Sequence, residues 1–467
     1  MLKHRSASGD RYLLDEAEAL SNEVASFIER FRSEADCIEV WAQRERQSGF
    51  LLGPVAPHEQ TRFGIGVRVW QGDRLGTAAV DSTQPADWEA GLRAAIEAAQ
   101  PSPIPPPPAP SARRPEPSVF DPALPEALTT QNLLPRLAHA LEENARHEAE
   151  RIPGLERISG HVLFISRQRV VGNSGGVVSE QLGELNCEVE LDGRHGEQVR
   201  LIHLADSFLP FALMGARAWR TMPRTVAEAP GDAAPRSVAV ILHPRVLEGL
   251  LRPGLAQLMA EPEVDRPPHF HEGELIMDPA ITLVDDPGLD GLVGSRAFDD
   301  EGQPTRRSAL VIRGRMTQHL RGRQSAQRTG RPTTGSMVRH ARGGLGPQHT
   351  QPEAALSCVL MERGQPQFHD LVAEARELVV IHALEADLIM DPATTAFSAT
   401  IRWGTLLEEG TAPRVLAPKQ WRVRGHLLAI GADTGLLHGL TPCRDVLDTG
   451  TGILPYCRGT LTLEVAG

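Results

Sequence analysis

The chain has 467 residues, 41% of them hydrophobic, and a formal net charge of −12. That length exceeds one ordinary core and points to about two to four domains. The acidic balance excludes general nucleic-acid binding, which needs a basic face, and aromatic residues at 4% leave no stacking platform for bases.

The first predicted element is a helix in "LLDEAEALSNEVASFIERFRSEA", where Leu20, Val24, Phe27 and Phe31 form one apolar stripe. Two strands follow, over residues 37–45 and 62–70. In the second, Phe63, Ile65, Val67 and Val69 alternate with Gly64, Gly66 and Arg68, the period of a strand with one buried face. "QGDRLG" (71–76) supplies hairpin-turn chemistry, and "DWEAGLRAAIEAAQ" closes the unit as an Ala-rich helix. "PSPIPPPPAPSARRPEPS" (101–118) can be neither helix nor central strand and reads as an extended spacer.

A helix over 132–152, striped by Leu134, Leu137 and Leu141, opens the central part. "GNSGG" (172–176) is a turn between β-rich runs, and another helix is expected around "FALMGARAW" (211–219). A second break, "AEAPGDAAPRS" (227–237), precedes a part that mixes one helix with many strands. The expected class is α+β, with a mixed sheet and helices at the N-terminus and a mostly β C-terminal region with a twisted antiparallel sheet. The expected units are an N-terminal αβ domain (1–100), the Pro-rich linker (101–118), a central αβ domain (119–228) and a C-terminal β-rich domain (237–467). No run reaches the roughly 18 apolar residues of a membrane helix, and no signal-peptide core stands at the start. A cytoplasmic protein is therefore expected. Cys37, Cys187, Cys358, Cys443 and Cys457, odd in number and without CxxC, read as reduced and mostly buried thiols.

Several stretches invite a chemical reading. In "VILHPRVLEGLLRPG" (240–254), His243 lies at or before a helix start that Pro244 marks, and Glu248 lies inside the helix. Five residues apart, the two stand about 140° apart around the helix and make no metal motif; His243 reads as a strand-end residue and Glu248 as solvated. His269 and His271 in "PPHFHEGE" would share one face if extended, but no third ligand stands at a diagnostic spacing. Asp285, Asp286, Asp290, Asp299, Asp300 and Glu301 crowd one span, yet the spacing of a calcium loop is absent and the same residues are good turn formers. "GNSGG" matches GxSxG with Ser174 in the nucleophile's place, but a strand-like run follows where a helix is required.

The order of these features resembles the TldD/PmbA (TldD/TldE) metallopeptidase family. The resemblance rests on Asp285-Asp286-Pro287, then Asp300-Glu301-Gly302 with Pro304-Thr305, then Gly314, Leu320, Ala326, Thr334-Gly335 and Arg339. "FGIGVRVWQGDRLGTAAV", "VVGNSGGVVSE" and the closing "LPYCRGTLTLEVAG" resemble further family segments. The resemblance implies an αβ region followed by a mostly β region, and a zinc peptidase cutting unfolded or ribosomally made peptides inside a closed dimer. It implies that one subunit carries HExxxH on the helix after the first strand of the third part, with a distal cysteine, and that the TldE/PmbA subunit has lost these ligands. Anchored on Pro244, the six motif positions fall on Gly249, Leu250, Leu251, Arg252, Pro253 and Gly254, and HExxxH occurs nowhere in the chain. A zinc site needs N, S or O ligands. The resemblance therefore implies no catalytic residue and no metal in this chain, zinc in a TldD-like partner, and an unfolded peptide as substrate. Asp299, Asp300, Glu301, Gly302, Thr334 and Gly335 are then structural motif residues. The alternatives are an autonomous metallopeptidase using His269 and His271, alone or as a homodimer, and a non-enzymatic peptide-binding protein.

Overall fold

The computed structural model describes residues 9–53, 55–118, 133–149, 155–195, 198–208, 225–227, 234–261, 269–373, 375–417, 419–430, 435–449 and 451–466. The helix expected over 211–219 lies outside the described residues.

Helix α1 (Gly9–Phe31) leads into strands β1 (Cys37–Leu52), β2 (Ala56–Gln71) and β3 (Arg74–Val80). Helix α2 (Pro85–Glu97) and the short β4 (Gln100–Pro101) follow, then α3 (Leu133–Ala149), β5 (Leu155–Asn173), β6 (Gly176–His195) and β7 (Gln198–Phe208). The seven strands form one sheet in the order β4-β3-β2-β1-β5-β6-β7. Even-numbered residues of β1 (Ile38, Val40, Ala42) join Ile65, Val67 and Val69 in a core closed by Leu20, Val24, Phe27 and Trp88 from α1 and α2. This is the period-two pattern of the sequence put to use: one face of each strand is packed under the helices.

The boundary expected between 1–100 and 119–228 does not divide the sheet. β1 pairs with β5 from Glu39↔Asn173 to Leu52↔Gly160. Strand periodicity reports which face is apolar and says nothing of which distant strand lies alongside. Nor is 101–118 a free spacer. The segment is extended, but Trp70 Nε1 donates to Ile104 O at 2.9 Å, Asn173 Nδ2 to Pro108 O at 2.7 Å, and Ser111 N to Gly302 O at 2.9 Å.

Strand β8 (Thr225–Ala227) belongs to a second sheet of thirteen strands, with β9 (Arg236–Leu242) near its centre and helix α4 (Pro244–Leu258) against it. β9 runs antiparallel to Gly452–Val465 and parallel to Glu377–Leu384. Val240 and Leu242 of β9, Val246, Leu247, Leu250, Leu251 and Leu255 of α4, and Ile381 and Leu461 share the largest core. The α+β class holds, with a difference in pairing. Every neighbouring pair in the N-terminal sheet is antiparallel, whereas the C-terminal sheet contains three parallel pairs.

Candidate functional site

The motif carboxylates sit where the outer face of the N-terminal sheet meets the C-terminal region. Trp41, Val171, Ala297 and Phe298 form an apolar patch there, and around it lies a buried charge network. Asp300 is 3% exposed; its Oδ1 accepts from Trp41 Nε1 at 2.8 Å and from Arg169, and its Oδ2 from the backbone N–H of Arg339 at 2.6 Å. Glu39, 2% exposed, accepts from Arg323 Nη1 at 2.6 Å and from Arg68 Nη1 at 3.1 Å. Glu301 Oε2 accepts the Arg323 N–H at 2.8 Å. Burial alone would raise the carboxyls of Glu39 and Asp300; Arg323 and Arg68 for the first, Arg169 and Arg296 for the second, hold them below their ordinary values. Both are ionised, paired anions that join the N-terminal sheet to the C-terminal region.

Asp299 and Asp285 are built differently. Asp299 Oδ1 accepts from the N–H groups of Glu301 (3.0 Å) and Gln303 (2.9 Å), and Oδ2 from Met337 N at 3.1 Å. Burial, with Glu301 beside it, pushes its carboxyl up to about 7. Asp285 Oδ1 accepts from Ser357 N and Cys358 N at 2.8 and 2.7 Å, and burial pushes it up to about 6. Gly302 and Gly335 hold left-handed backbone at φ 69° and 65°; a Cβ on Gly335 would lie 2.3 Å from Pro304 O. Thr334 Oγ1 accepts from Arg321 N at 2.8 Å and pairs with Ser336 Oγ at 2.6 Å. The oxygens of Asp299 and Asp300 and the Thr334 hydroxyl are thus engaged with neighbours inside the protein. This arrangement fixes the loop that carries the motif and leaves little capacity for proton transfer to a substrate.

Helix α4 begins at Pro244, whose fixed φ suits a first turn. His243 stands just before it: Nδ1 accepts the Arg245 N–H at 3.3 Å, and the ring meets Tyr456 edge-on at 5.3 Å. Burial, with His382 and Arg245 nearby, pushes this imidazole down to about 3, so it is neutral. Glu248 is not solvated, as its place in the sequence suggests, but 7% exposed. Its Oε1 accepts from Arg252 Nε at 2.8 Å and from Thr451 Oγ1 at 2.5 Å. Arg252 also donates to Leu356 O (2.8 Å), Ser357 O (2.7 Å) and Thr451 O (2.9 Å). One guanidinium thereby ties α4 to the parallel strands Val359–Met361 and Gly452–Val465.

Across 249–254, Leu250 and Leu251 are buried in the core, Gly249 and Pro253 are exposed, and Arg252 is engaged as described. No donor atom suited to zinc projects from these positions. Cys457, fully buried, lies 3.8 Å from Met361 Sδ, and burial raises its thiol far above the ordinary value, disfavouring a thiolate ligand.

The remaining sequence candidates do not converge. His269 and His271 are exposed on a turn rather than an extended strand, with Gly273 at φ 91°. Among the described residues no group of three or more His, Cys, Asp or Glu is placed to hold a metal ion. Ser174 is exposed in the turn between β5 and β6, followed by strand, not helix. Asp290 accepts the Ser118 N–H at 2.6 Å, and Asp286 lies 3.6 Å from Arg113 and 3.5 Å from Arg307. Sequence reasoning missed Glu39, Arg68, Arg169 and Arg323. The available signal was one charge set in an apolar strand, as in "CIEVW" and "GVRVW".

The PmbA/TldA metallopeptidase C-terminal domain matches residues 235–428. A stretch of 105 residues is 30% identical to the metalloprotease TldD homolog of Haemophilus influenzae, covering 22% of this chain and 20% of that protein. Another of 109 residues is 31% identical to a metalloprotease of Methanothermobacter thermautotrophicus, covering 23% and 22%. The matched stretches thus span about a fifth of these relatives' length. The crystal structure of TldE from Thermococcus kodakarensis superposes with a TM-score of 0.70 over 95% of this chain and 100% of that one, at 20% identity, a likeness of fold. Residues 235–428 thus carry a PmbA/TldA metallopeptidase C-terminal domain by likeness of sequence, and the chain as a whole shares the fold of TldE.

Proposed function

We propose that the chain is the metal-free, TldE/PmbA-like subunit of a heterodimeric peptidase that acts in the cytoplasm on unfolded or ribosomally made peptides, with zinc held by a TldD-like partner. The observation that carries this reading is the exposed side of α4, where Gly249, Arg252 and Pro253 stand in place of metal ligands. Zinc does not fit here: positions 249–254 offer no side-chain lone pair, the carboxylate of Glu248 is taken by Arg252 and Thr451, and a cation would meet the Arg252 guanidinium. No chemical step is therefore assigned to this chain. Its part is to complete the cavity and hold the peptide, by adding it as a strand to a sheet edge. The test is hydrolysis of an unstructured peptide by a TldD-like partner with and without this chain. The pair is expected to cleave faster than the partner alone; equal rates would sink the proposal.

A further inference from the structure

A cavity of about 220 Å³ opens on the helix-side face of the N-terminal sheet, beyond the core under α1 and α2. Its floor follows from strand register. Arg44 and Arg46 of β1 stand opposite Gln168 and Ser166 of β5, and opposite Phe63 and Thr61 of β2. Paired residues share a face, so two guanidinium groups, two hydroxyls and an amide line one hollow. Arg44 stacks over Phe63 at 5.7 Å, which orients its guanidinium without neutralising it. Glu59 also lines the cavity. It stands opposite Ser48, two residues along β1 from Arg46, so one acid faces two arginines.

The floor is unsatisfied. Gln168 is 4% exposed, and its Oε1 has no hydrogen-bond partner among the described residues. Gln181, opposite Gln168 on β6, has neither amide atom paired among them. Buried amides are ordinarily hydrogen-bonded, and exceptions call for a ligand or a water. Here the acceptor sits beside two cations. The complementary molecule carries an anionic, planar acceptor for the arginines and an N–H donor close to it. A pocket smaller than the roughly 300–1,000 Å³ of drug-sized ligand sites suits a single terminal group.

We infer that this cavity binds a peptide carboxylate, with Arg44 and Arg46 pairing with the anion and Gln168 Oε1 accepting the adjacent amide N–H. The inference rests on the proposed function only in taking a peptide as the ligand. It assigns the cavity to anchoring, at a place separate from α4.

The test is a fluorescence-anisotropy titration of the full chain, without any partner, using one labelled hexapeptide in three forms: free C-terminal acid, C-terminal amide, and amide with an internal Glu. The acid is expected to bind at least about tenfold tighter than the plain amide, since Arg–carboxylate pairs are the stronger class of hydrogen bond. Arg46→Gln, at an exposed position, and Gln168→Leu are each expected to weaken the acid form severalfold and leave the plain amide unchanged. A melting curve confirms that both variants fold. Preference for the acid over the Glu-containing amide assigns the α-carboxylate; equal binding of those two assigns carboxylates in general. Equal binding of acid and plain amide, no binding of either, or indifference to both substitutions overturns the inference. Because the assay involves no hydrolysis, those results leave the subunit proposal to its own test, and a pair that fails to cleave leaves this one standing.

Discussion

The interface around Asp300 and the outer side of α4 both carry residues that the family resemblance singles out, and they are built in opposite ways. At the interface, Glu39, Arg68, Arg169, Asp300 and Arg323 are all under 10% exposed and paired, tying the N-terminal sheet to the segments of the C-terminal region that carry Asp300 and Arg323. On α4, Gly249 and Pro253 face solvent bare, and Arg252 binds backbone carbonyls. The acids that look like chemistry in the sequence hold the architecture. On the helix where the resemblance places metal ligands, positions 249–254 carry Gly, Leu, Leu, Arg, Pro and Gly. A carboxylate's role is thus decided by whether its lone pairs are already engaged.

The comparison can be broken most severely at Asp300. Asp300→Ala leaves Trp41 Nε1 without its acceptor and Arg169 with Glu180 alone, and is expected to cost about 3 kcal/mol in urea unfolding, the low end of the range for breaking a buried ion pair. A loss below about 1 kcal/mol would mean that the network is solvated. Next in size is Gly335→Ala. It combines positive φ with the close approach to Pro304 O and is expected to cost roughly 1–3 kcal/mol.

Acid titration probes the histidines beside α4. The folded-state values of His243 and His382, about 3 and about 4, lie below the ordinary 6.5, so the unfolded chain takes up protons first as pH falls. Their contribution is therefore full well above pH 6.5 and is lost as pH falls, toward 4 for His382 and toward 3 for His243, on the order of 3 kcal/mol per histidine. Asp285 and Asp299, raised by burial, act with the opposite sign: the folded chain protonates first, and their contribution grows as pH falls. Comparing wild type with His382→Phe isolates the histidine. The variant keeps a ring against Trp403, which stacks on His382 at 4.3 Å, and is expected to lose less stability between pH 6.5 and 4. An unchanged acid limb would show that His382 protonates freely in the fold. The smallest effect is on α4 itself. At Gly249 a Cβ meets nothing within 4 Å, so Gly249→Ala is expected to stabilise by about 0.5–1 kcal/mol. Destabilisation there would reveal a contact on the face described as bare.

The sequence carried the local structure well and the long-range structure poorly. The stripe of Leu20, Val24, Phe27 and Phe31 and the alternation from Phe63 to Val69 are local periodicities, and both appear as buried faces. The β1–β5 pairing joins residues more than a hundred positions apart, and no local pattern encodes it. Burial of Glu248 was hidden for the same reason: its partner Thr451 lies 203 residues away. Glu39 and Arg68 were legible as charges on a strand's polar face. That this face is covered by Arg323 and Gln351 depends on how the two sheets meet. The absence of HExxxH was legible outright, because a motif's absence needs no tertiary information.

The most direct test of the account is zinc content, by mass spectrometry on untagged full-length chain purified without chelator, alone and after co-expression with a TldD-like partner. The account predicts less than roughly a tenth of an equivalent in the chain alone and stoichiometric zinc only in the complex, since a metal site requires its ligands to be present in the fold. Stoichiometric zinc in the isolated chain would contradict it and would require a ligand set away from α4.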